Sequence, residues 1–393
     1  MISCGEASGD LYAGALANAL REREPAVDII GFGGDRLEAA GARLIGNFHG
    51  LSVTGLTEAL RVVPRSFAML RRLTDAARDF RPDVFVAIDF PDFNFRLMAS
   101  LRRLGIPVVY YISPQLWAWR AGRMSAMKQH VDRVLVIFPF EAALYRDAGI
   151  PVEFVGHPLV DLTQVTQSRT DLLVENGLDP AAPTVALLPG SRINEVTRIA
   201  PTVAAALPLI AARVPNVQFV VAAAPNLSES LFAPLIGPPE GGPYETRQPA
   251  VGAAVRRPVI LRGRTDDVLA ASDVAITASG TATVQCAIHE RPMVVVYRLS
   301  SLTYRVGKPF VKVDTYAMPN LIAGDRIVPE LIQDGFTPER TAEEVISFLI
   351  DRERYQRTRA ALHDVRNRLG SSGASGRAAD SILQVAHRGA KTA

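Results

Sequence analysis

The chain has 393 residues, of which 48% are hydrophobic, with 43 Lys and Arg against 40 Asp and Glu. This length and composition predict two or three globular domains and exclude extensive disorder. Its two cysteines, Cys4 and Cys286, are too few for a disulfide framework and indicate a reducing, cytoplasmic compartment.

Charge and hydropathy limit the compartments and the binding partners that the sequence allows. No positively charged leader followed by an apolar stretch opens the chain, so we do not expect export. The longest apolar runs, such as Val134–Phe138 and Met293–Tyr297, are far below the ~20 residues that span a bilayer, which predicts a soluble or peripheral protein. A net charge of +3 is too small to indicate a nucleic-acid partner. The predominance of Arg over Lys suits phosphate binding, although GC-rich coding produces the same bias.

The first half of the chain alternates short apolar runs with helical patterns. Strands are predicted at Ile2–Cys4, Asp28–Phe32, Val84–Ile88, Val108–Ile112, Val134–Ile137 and Val152–Val155. Helices are predicted at Leu11–Arg21, Arg65–Phe80, Phe95–Leu104 and Glu141–Asp147. Because these strands are continuously apolar, they predict a parallel sheet that is covered on both faces, in a doubly wound α/β domain.

The pattern restarts after a polar, turn-rich passage at Thr163–Pro183. Further strands are predicted at Val185–Leu188, Gln218–Ala222, Val259–Leu261, Val274–Thr277 and Met293–Tyr297, again with helices between them. The segment Gly237–Pro258 is rich in Gly and Pro and is predicted to be a loop. A flexible break at Gly370–Gly376 precedes a last helix, Ala378–Ala386.

This recurrence predicts two Rossmann-like α/β domains, residues 1–165 and 166–370, with a C-terminal segment 371–393. Two such domains that face each other across a cleft are the architecture of many nucleotide-sugar glycosyltransferases. Because one fold hosts many functions, the function has to be argued from the sites.

The first candidate site is the sequence GEASGD at 5–10, between the first strand and the first helix. Ligands of parallel α/β sheets bind at the carboxyl ends of strands. Glycines there let the backbone approach a ligand closely, and the first N–H groups of a helix attract oxygen-rich groups. The motif is no dinucleotide fingerprint, and its two acids disfavour a pyrophosphate. A helix cap formed by Ser8 or Asp10 explains it equally well.

The second candidate is AIDFPDFN at 87–94. Asp89 immediately follows the apolar run Val84–Ile88, so its carboxylate is expected to project into the cleft. A partly desolvated carboxylate at that point is suited to take a proton from a hydroxyl nucleophile. The alternative is that Asp89 and Asp92 cap the next helix, with Pro91 stiffening the turn.

The third candidate is LPGSR at 188–192, with Glu195 three residues on. Gly190 permits a tight turn, Ser191 and the first helical amides can hold phosphate oxygens, and Arg192 can clamp them bidentately. The sequence lacks the ending of a P-loop. Ser191 and Glu195 are also one residue too far apart for a capping box, which favours phosphate binding.

The fourth candidate is ASGTAT at 278–283, between a strand and a helix. Ser279, Gly280 and Thr281 would form a second phosphate nest at a helix N-terminus. The alternative is a tight strand–helix turn that needs Gly280 for packing. Two anion nests in one domain suit a diphosphate.

Three further features have weaker interpretations. Trp117 and Trp119 could wall a sugar or acyl site, or could pack in the core. His157, in Gly156-His157-Pro158, is more simply explained as a structural histidine. The histidines show no metal-ligand spacing and the Asp-x-Asp pattern that holds a metal under a diphosphate is missing, so we expect no obligatory metal.

The segment Arg65–Arg81 has an amphipathic helical pattern. Its apolar face is predicted to comprise Phe67, Leu70, Leu73, Thr74 and Ala77, and its charge comes from Arg65, Arg71, Arg72, Arg78 and Arg81. A basic amphipathic surface of this kind suits anionic lipid. An outer helix of the sheet would have the same pattern.

In this order the motifs resemble those of the lipid-A-disaccharide synthase family across nearly the whole chain. The matching segments are GEASGD (5–10), AIDFPDFN (87–94), YYISPQLWAWR (110–120), FVGHP (154–158), LPGSR (188–192), ASGTAT (278–283) and MPNLIAG (318–324). The resemblance implies a GT-B architecture, in which a C-terminal helix crosses back to the first domain.

The resemblance also implies a reaction and its partners. A 2,3-diacylglucosamine would pass from its UDP derivative to 2,3-diacylglucosamine 1-phosphate, with inversion and without a cofactor, to give lipid A disaccharide 1-phosphate and UDP. The enzyme would be peripheral on the cytoplasmic face of the inner membrane. Whether it forms a homodimer, and which acyl chains it takes, are not decided by the sequence.

Residue by residue, the motif match implies Asp89 as the general base. The implied donor ligands are Gly190, Ser191, Arg192, Ser279, Gly280, Thr281, Gln285 and Asn320. The implied first-loop and acceptor-side residues are Glu6, Ser8, Gly9, Asp10, Asn94 and Trp117. At 285 the family often has Glu, which would accept hydrogen bonds from ribose hydroxyls, whereas Gln285 can accept only through its carbonyl.

Three rival functions remain open. A UDP-sugar 2-epimerase of the same architecture would need acid/base residues around one sugar and no acceptor site. A non-catalytic nucleotide-sugar or lipid-binding protein would bind UDP without turnover. A peptidoglycan transferase would take a prenyl-linked acceptor, but the Gly-rich signature of that family is not evident in the first loop.

Overall fold

The computed structural model describes residues 1–48, 56–114, 116, 122–237, 256–299 and 315–392. The described residues form two compact units. Unit 1 comprises the described residues of 1–161 and 369–392, and unit 2 comprises those of 162–368. The predicted loop Gly237–Pro258 falls largely outside the described residues. Within the described parts of the chain, no helix has both the length and the apolar composition needed to cross a bilayer.

Unit 1 is built on a seven-stranded parallel sheet with the strand order β3-β2-β1-β4-β5-β6-β7. The strands are β1 Ile2–Cys4, β2 Ile30–Gly33, β3 Arg43–Asn47, β4 Phe85–Ile88, β5 Val108–Tyr111, β6 Arg133–Val136 and β7 Val152–Phe154. Every residue of β1, β2, β4 and β5 is buried, as continuous apolar runs predict for a sheet covered on both faces.

The helices of the first part of the chain connect these strands. They are α1 Ala7–Arg23, α2 Asp35–Ala39, α3 Leu56–Phe80, α4 Pro91–Arg102, α5 Arg123–His130, α6 Glu141–Asp147 and α7 Leu159–Leu162. The α3 helix is longer than predicted and contains Pro64. On the predicted apolar face, Leu73 and Ala77 are buried, whereas Phe67 is 49% exposed, so this face is only partly buried.

Unit 2 has the same architecture. Its six-stranded sheet is also parallel and has the strand order β10-β9-β8-β11-β12-β13. Its strands are β8 Thr184–Leu188, β9 Gln218–Ala223, β10 Val259–Arg262, β11 Val274–Ala278, β12 Met293–Tyr297 and β13 Glu330–Ile332. Its helices are α8 Arg169–Glu175, α9 Ile193–Ala211, α10 Ala233–Ile236, α11 Thr265–Ala271, α12 Thr281–Ile288, α13 Met318–Ala323, α14 Pro338–Ile350 and α15 Arg352–Arg368. The prediction of two Rossmann-like α/β domains is confirmed.

Both sheets reverse their strand order at an equivalent point. In unit 1 the reversal lies between β1 and β4, which pair with Cys4 beside Ile88. In unit 2 it lies between β8 and β11, which pair with Leu188 beside Thr277. Loops that leave neighbouring strands on opposite faces of the sheet open a crevice at this switch point, where doubly wound folds bind their ligands. All four candidate motifs follow one of these strands.

The last helix, α16 Ala374–Thr392, returns the chain to unit 1 and packs along α1. The carboxylate of Asp161 accepts hydrogen bonds from the Gly373 and Ala374 amides, at 2.9 and 3.1 Å, where α16 begins. Arg133 donates to the Ser381 hydroxyl at 2.8 Å, and Arg23 forms an ion pair with Asp380. These contacts tie the helix to unit 1 at its start and along its length.

Candidate active site

The turn after β4 holds Asp89 in an uncommon backbone conformation. Asp89 and Phe90 have φ angles of 44° and 49°, in the left-handed region that few non-glycine residues adopt. Ile112, at the end of β5, has a φ of 59°, and its carbonyl accepts from the Asp89 amide at 3.3 Å. Backbone of this kind costs free energy and persists where surrounding contacts enforce it, typically at functional sites.

Two buried side chains fix the carbonyl of Asp89. The Tyr110 hydroxyl and the Asn94 side-chain amide each donate a hydrogen bond of 2.8 Å to it. Burial, with the nearby Asp89 charge adding to it, raises the pKa of Tyr110 well above its ordinary value, so its hydroxyl stays protonated and donates. The Asp89 side chain itself is half-buried at the carboxyl end of β4.

Asn94 was predicted on the acceptor side, and its described contacts lie within unit 1. It is fully buried, and its amide oxygen accepts from the Ser3 hydroxyl at 2.7 Å, so that it joins β1 to the turn after β4. These contacts make Asn94 a residue that positions Asp89. A direct contact with substrate remains a prediction.

The first loop is packed against the Asp89 turn through Gly5. A Cβ atom at Gly5 would lie 2.1 Å from the Phe90 ring, so this position accepts only glycine without rearrangement. The Phe90 ring is stacked in turn with Phe32 and Phe93, at centroid distances of 6.4 and 5.4 Å. At Gly9, by contrast, a Cβ atom would lie at ordinary van der Waals distances of 3.4 and 4.0 Å from Cys4 and Ile88.

The capping explanation of the two unit 1 motifs needs correction. The N-cap of α1 is Glu6 rather than Ser8 or Asp10, and the N-cap of α4 is Phe90 rather than an aspartate. Asp10 instead accepts from the Gly34 and Arg36 amides, at 2.8 and 2.9 Å, where α2 begins. Glu6 and Ser8 are half-buried at the end of β1.

Asp92 also serves a purpose other than capping. It forms an ion pair with Arg123, which lies over the Phe95 ring. Trp117 and Trp119 lie outside the described residues, so their predicted roles stay predictions.

In unit 2 the turn after β8 presents polar groups at the start of α9. Gly190 has a φ of 129° and Arg192 is the N-cap residue, 45% exposed at its side chain. The carboxylate of Glu195 reaches back over the turn. It accepts from the Ser191 amide at 3.1 Å and from the Arg192 guanidinium at 2.9 Å. The contact is not a capping box, because Arg192 rather than Ser191 is the N-cap and its side chain forms no capping hydrogen bond.

The second predicted nest forms a tight turn between β11 and α12. Gly280 is the N-cap of α12 with a φ of 144°, and among the described residues nothing beyond its chain neighbours lies within 4 Å of where its Cβ would be. The Thr283 amide and hydroxyl both bond to the Gly280 carbonyl, at 3.0 and 2.7 Å. Gly280 and Thr281 are exposed, whereas the Ser279 hydroxyl donates to the Tyr316 carbonyl at 3.2 Å.

Asn320 stabilises the segment around Tyr316, whose carbonyl accepts a hydrogen bond from Ser279. Its amide donates to the Val328 carbonyl and to Glu330, at 2.9 and 2.8 Å, and its oxygen accepts from the Val328 amide. Glu330 also accepts from the Tyr316 amide at 2.8 Å. Asn320 is therefore buried within unit 2 as a loop-positioning residue, and a direct donor contact remains a prediction.

Gln285 lies in a hydrogen-bonded group that the sequence did not predict. Its amide nitrogen donates to Asp266 at 3.1 Å, and His289 approaches the same carboxylate oxygen at 3.2 Å. A glutamate at 285 would bring two carboxylates together, which is unfavourable. The amide of Gln285 thus matches Asp266, and a contact of its carbonyl oxygen with the ribose of the donor stays a prediction.

His157 is a buried structural residue of unit 1. Its Nδ1 accepts from the Leu159 amide at 3.1 Å, and its ring packs against Tyr12 and Phe138. Burial lowers the pKa of His157 to about 3, so that the ring is neutral at ordinary pH. No group of three or more metal-binding side chains occurs among the residues that the structure describes.

Comparison with known proteins decides the family. A family model for lipid-A-disaccharide synthetase matches residues 1–384. The chain is 42% identical over 385 residues to a lipid-A-disaccharide synthase of Myxococcus xanthus, an alignment covering 98% of this chain and 97% of that protein. The chain belongs to the lipid-A-disaccharide synthase family. The resemblance stated from the motifs is confirmed.

Solved structures show how widely the fold of this lipid-A-disaccharide synthase family member is shared. It is similar to UDP-GlcNAc 2-epimerase from Neisseria meningitidis bound to UDP-GlcNAc, with a TM-score of 0.65, 12% identity and 98% of both chains covered. It is also similar to the calicheamicin glycosyltransferase, with a TM-score of 0.59, 16% identity and coverage of 98% and 97%. These identities support the fold alone. Membership of the lipid-A-disaccharide synthase family makes the chain a hexosyltransferase with a nucleotide-sugar donor and a sugar acceptor.

Proposed function

We propose that this chain transfers 2,3-diacylglucosamine from its UDP derivative to 2,3-diacylglucosamine 1-phosphate, giving lipid A disaccharide 1-phosphate and UDP. The observation that carries the proposal is the family match over residues 1–384. It is supported by the position of the motif residues, which follow the strands on either side of the switch point in each sheet. Crevices at such points are the usual ligand sites of doubly wound folds.

The proposed chemistry is a single displacement. The 6-hydroxyl oxygen of the acceptor attacks the anomeric carbon of the donor as Asp89 removes the hydroxyl proton. The bond from that carbon to the UDP oxygen breaks, and the configuration inverts. The transition state has oxocarbenium character, as in glycoside hydrolysis. The enforced backbone at Asp89 supports this role, because a base must be held within hydrogen-bond reach of the proton it takes.

The departing UDP gains negative charge, which unit 2 would stabilise. Arg192 and the amides that begin α9 and α12 are suited to donate to its phosphate oxygens. One well-placed donor of this type is typically worth about 3–4 kcal/mol of transition-state stabilisation.

We also propose that α3 binds the cytoplasmic face of the inner membrane, where acylated substrates reside. Val63, Phe67 and Phe80 on this helix are 45%, 49% and 51% exposed. Arg96 lies over the Phe67 ring and Arg43 over the Phe80 ring, so cationic groups flank the exposed aromatic rings. Exposed apolar side chains among arginines favour an anionic lipid surface.

A vesicle experiment tests the membrane proposal. The protein should sediment with vesicles that contain anionic lipid and less with neutral vesicles. A variant with Phe67→Ser and Phe80→Ser should lose binding. The matched variant Ile350→Ser, at a position that is 63% exposed in unit 2, should keep it. Equal sedimentation of both variants would remove α3 from the membrane contact.

The reaction is tested by product mass. Purified protein is mixed with UDP-2,3-diacylglucosamine and the acceptor monophosphate, and the disaccharide 1-phosphate and UDP are measured. A parallel incubation with UDP-N-acetylglucosamine alone tests for an epimer. A product from the first incubation and none from the second supports the transferase. The reverse result, or UDP binding without turnover, favours a rival function.

A further inference from the structure

We call residues 189–192, which follow β8, the donor turn, because the proposed function places the diphosphate of the sugar donor there. An anionic side chain already lies over this turn. Glu195 lies in the first turn of α9, and its side chain is only 16% exposed. One carboxylate oxygen accepts from the Ser191 amide and the other from Arg192, at 3.1 and 2.9 Å. A Cβ atom at Gly190 would lie 2.6 Å from the Glu195 Cβ, so glycine at 190 is what lets this side chain lie over the turn.

The proposed function assigns the Arg192 guanidinium to the diphosphate, and the Ser191 amide lies in the same turn, directly before the N-cap of α9. An amide N–H and a guanidinium N–H directed at one carboxylate cannot at the same time be directed at a phosphate oxygen. A carboxylate that stayed in place would also repel the diphosphate, since like charges at contact distance are unfavourable. Binding of UDP through these same two N–H groups would therefore require the carboxylate of Glu195 to leave them.

We propose that Glu195 is a resident anion of the donor site. It occupies the Ser191 amide and the Arg192 guanidinium when no nucleotide is bound, and the diphosphate displaces it. This inference rests on the proposed function, because it assumes that the diphosphate binds at the turn after β8. The same carboxylate returns to the two donors as UDP leaves, which weakens UDP binding and speeds product release.

The size of the effect follows from the exposure of the pair. Arg192 is 45% exposed, so its ion pair with Glu195 is largely screened, and exposed pairs contribute little. Displacing the pair and one backbone hydrogen bond should weaken UDP binding by about threefold to tenfold. The opposite role is that Glu195 stays in place and holds Arg192 ready for phosphate. In that case its removal would weaken UDP binding instead.

Calorimetry with UDP separates these roles. Glu195→Gln keeps the size of the side chain and removes its charge, and should bind UDP about threefold to tenfold more tightly than the wild type. The inhibition constant for UDP in turnover should fall by the same factor. Glu195→Ala should tighten binding in the same direction. Glu353→Gln, which removes a charge from an 81% exposed side chain on α15, should leave UDP affinity unchanged.

The outcomes distinguish the inference from the function on which it rests. If UDP binds the wild type and Arg192→Ala weakens it, but Glu195→Gln binds UDP equally or more weakly, only the resident-anion inference fails. Glu195→Gln should change UDP affinity less in the Arg192→Ala background than in the wild type. The reason is that one of the two N–H donors for which Glu195 and the diphosphate compete is then missing. If the wild type does not bind UDP at all, both the proposed function and this inference are overturned.

Discussion

The Tyr110 hydroxyl donates a 2.8 Å hydrogen bond to the carbonyl oxygen of Asp89, from the strand next to the one that Asp89 follows. The bond helps to hold a residue whose φ of 44° is otherwise unfavourable. The buried Tyr110 therefore helps to position Asp89, the proposed general base.

Tyr110→Phe should therefore slow the reaction without weakening donor binding. We expect kcat to fall about tenfold to a hundredfold, because a small misplacement of a catalytic group has effects of that order. Stability should fall by about 1–2 kcal/mol for the lost hydrogen bond. Steady-state kinetics and thermal unfolding measure the two effects. Tyr355→Phe, which removes a hydroxyl bonded to Arg291 in unit 2, is the control and should leave kcat unchanged.

Asp89→Asn tests the base directly. Asparagine tolerates the left-handed region well, so this variant should fold without added backbone strain. We expect kcat to fall at least about a hundredfold because the amide cannot take the proton. Asp147→Asn, an exposed aspartate at the end of α6, should retain wild-type turnover. Near-normal turnover in folded Asp89→Asn would remove this residue from the mechanism.

Arg192→Ala tests stabilisation of the leaving group. Turnover should fall at least about a hundredfold, because a donor to the developing charge is lost. Arg213→Ala, at an exposed arginine just beyond the end of α9, serves as the charge-matched control. The measurement is kcat for both variants at saturating donor, with folding checked by circular dichroism. Equal rates in the two variants would contradict the proposed role.

Gly5→Ala should damage the Asp89 turn from the neighbouring loop. The new Cβ would overlap the Phe90 ring, so we expect a loss of about 1–3 kcal/mol in stability and a reduced kcat. At Gly122 the φ is −61°, and in the described part of the chain a new Cβ would meet nothing within 4 Å beyond its chain neighbours, so Gly122→Ala should be nearly neutral. Adding Phe90→Ala to Gly5→Ala should relieve the overlap and recover part of the stability lost to it. A stable, fully active Gly5→Ala would disprove this packing account.

His157 predicts a pH dependence of stability. Its folded pKa of about 3 lies below the ordinary 6.5, so the unfolded chain binds a proton between these values that the folded chain does not. Stability from this residue is thus complete above pH 6.5 and falls as the pH drops toward 3, by about 1.4 kcal/mol per pH unit. His157→Gln should show a shallower loss than the wild type in chemical unfolding between pH 6.5 and 4.5. His387→Gln, at an exposed histidine, should follow the wild-type slope.

The strands and motif loops could be predicted because their signals are local. Eleven strands were predicted within two residues of their observed ends, since a buried parallel strand is a continuous apolar run. The two missed strands, β3 and β13, are edge strands of five and three residues that carry exposed or half-buried polar side chains. Polar residues are tolerated at such edges, and they interrupt the apolar run in β3 and β13, whereas the edge strands β7 and β10 keep enough of it to be predicted.

The site could be predicted as a set of positions but not as a set of contacts. Asp89 and Arg192 could be predicted as candidates because polar residues in the turn after a buried strand lie at the carboxyl edge of the sheet. Asp10, by contrast, accepts hydrogen bonds from residues 24 and 26 positions along the chain, and Asn94 bonds to Ser3 across 91 positions. Residue types and short spacings carry no information about such partners.

By itself, the sequence determined the alternation of strands and helices, the family, and which loops carry the polar groups, because burial and turn formation depend on neighbouring residues. Only the tertiary structure decided that Tyr110 supports Asp89, that Glu195 lies over the donor turn and that Gln285 is matched to Asp266. Such pairings arise when elements distant in the chain, or successive turns of one helix, bring two polar groups to about 3 Å from each other. Many sequences with the same local pattern would form other hydrogen bonds.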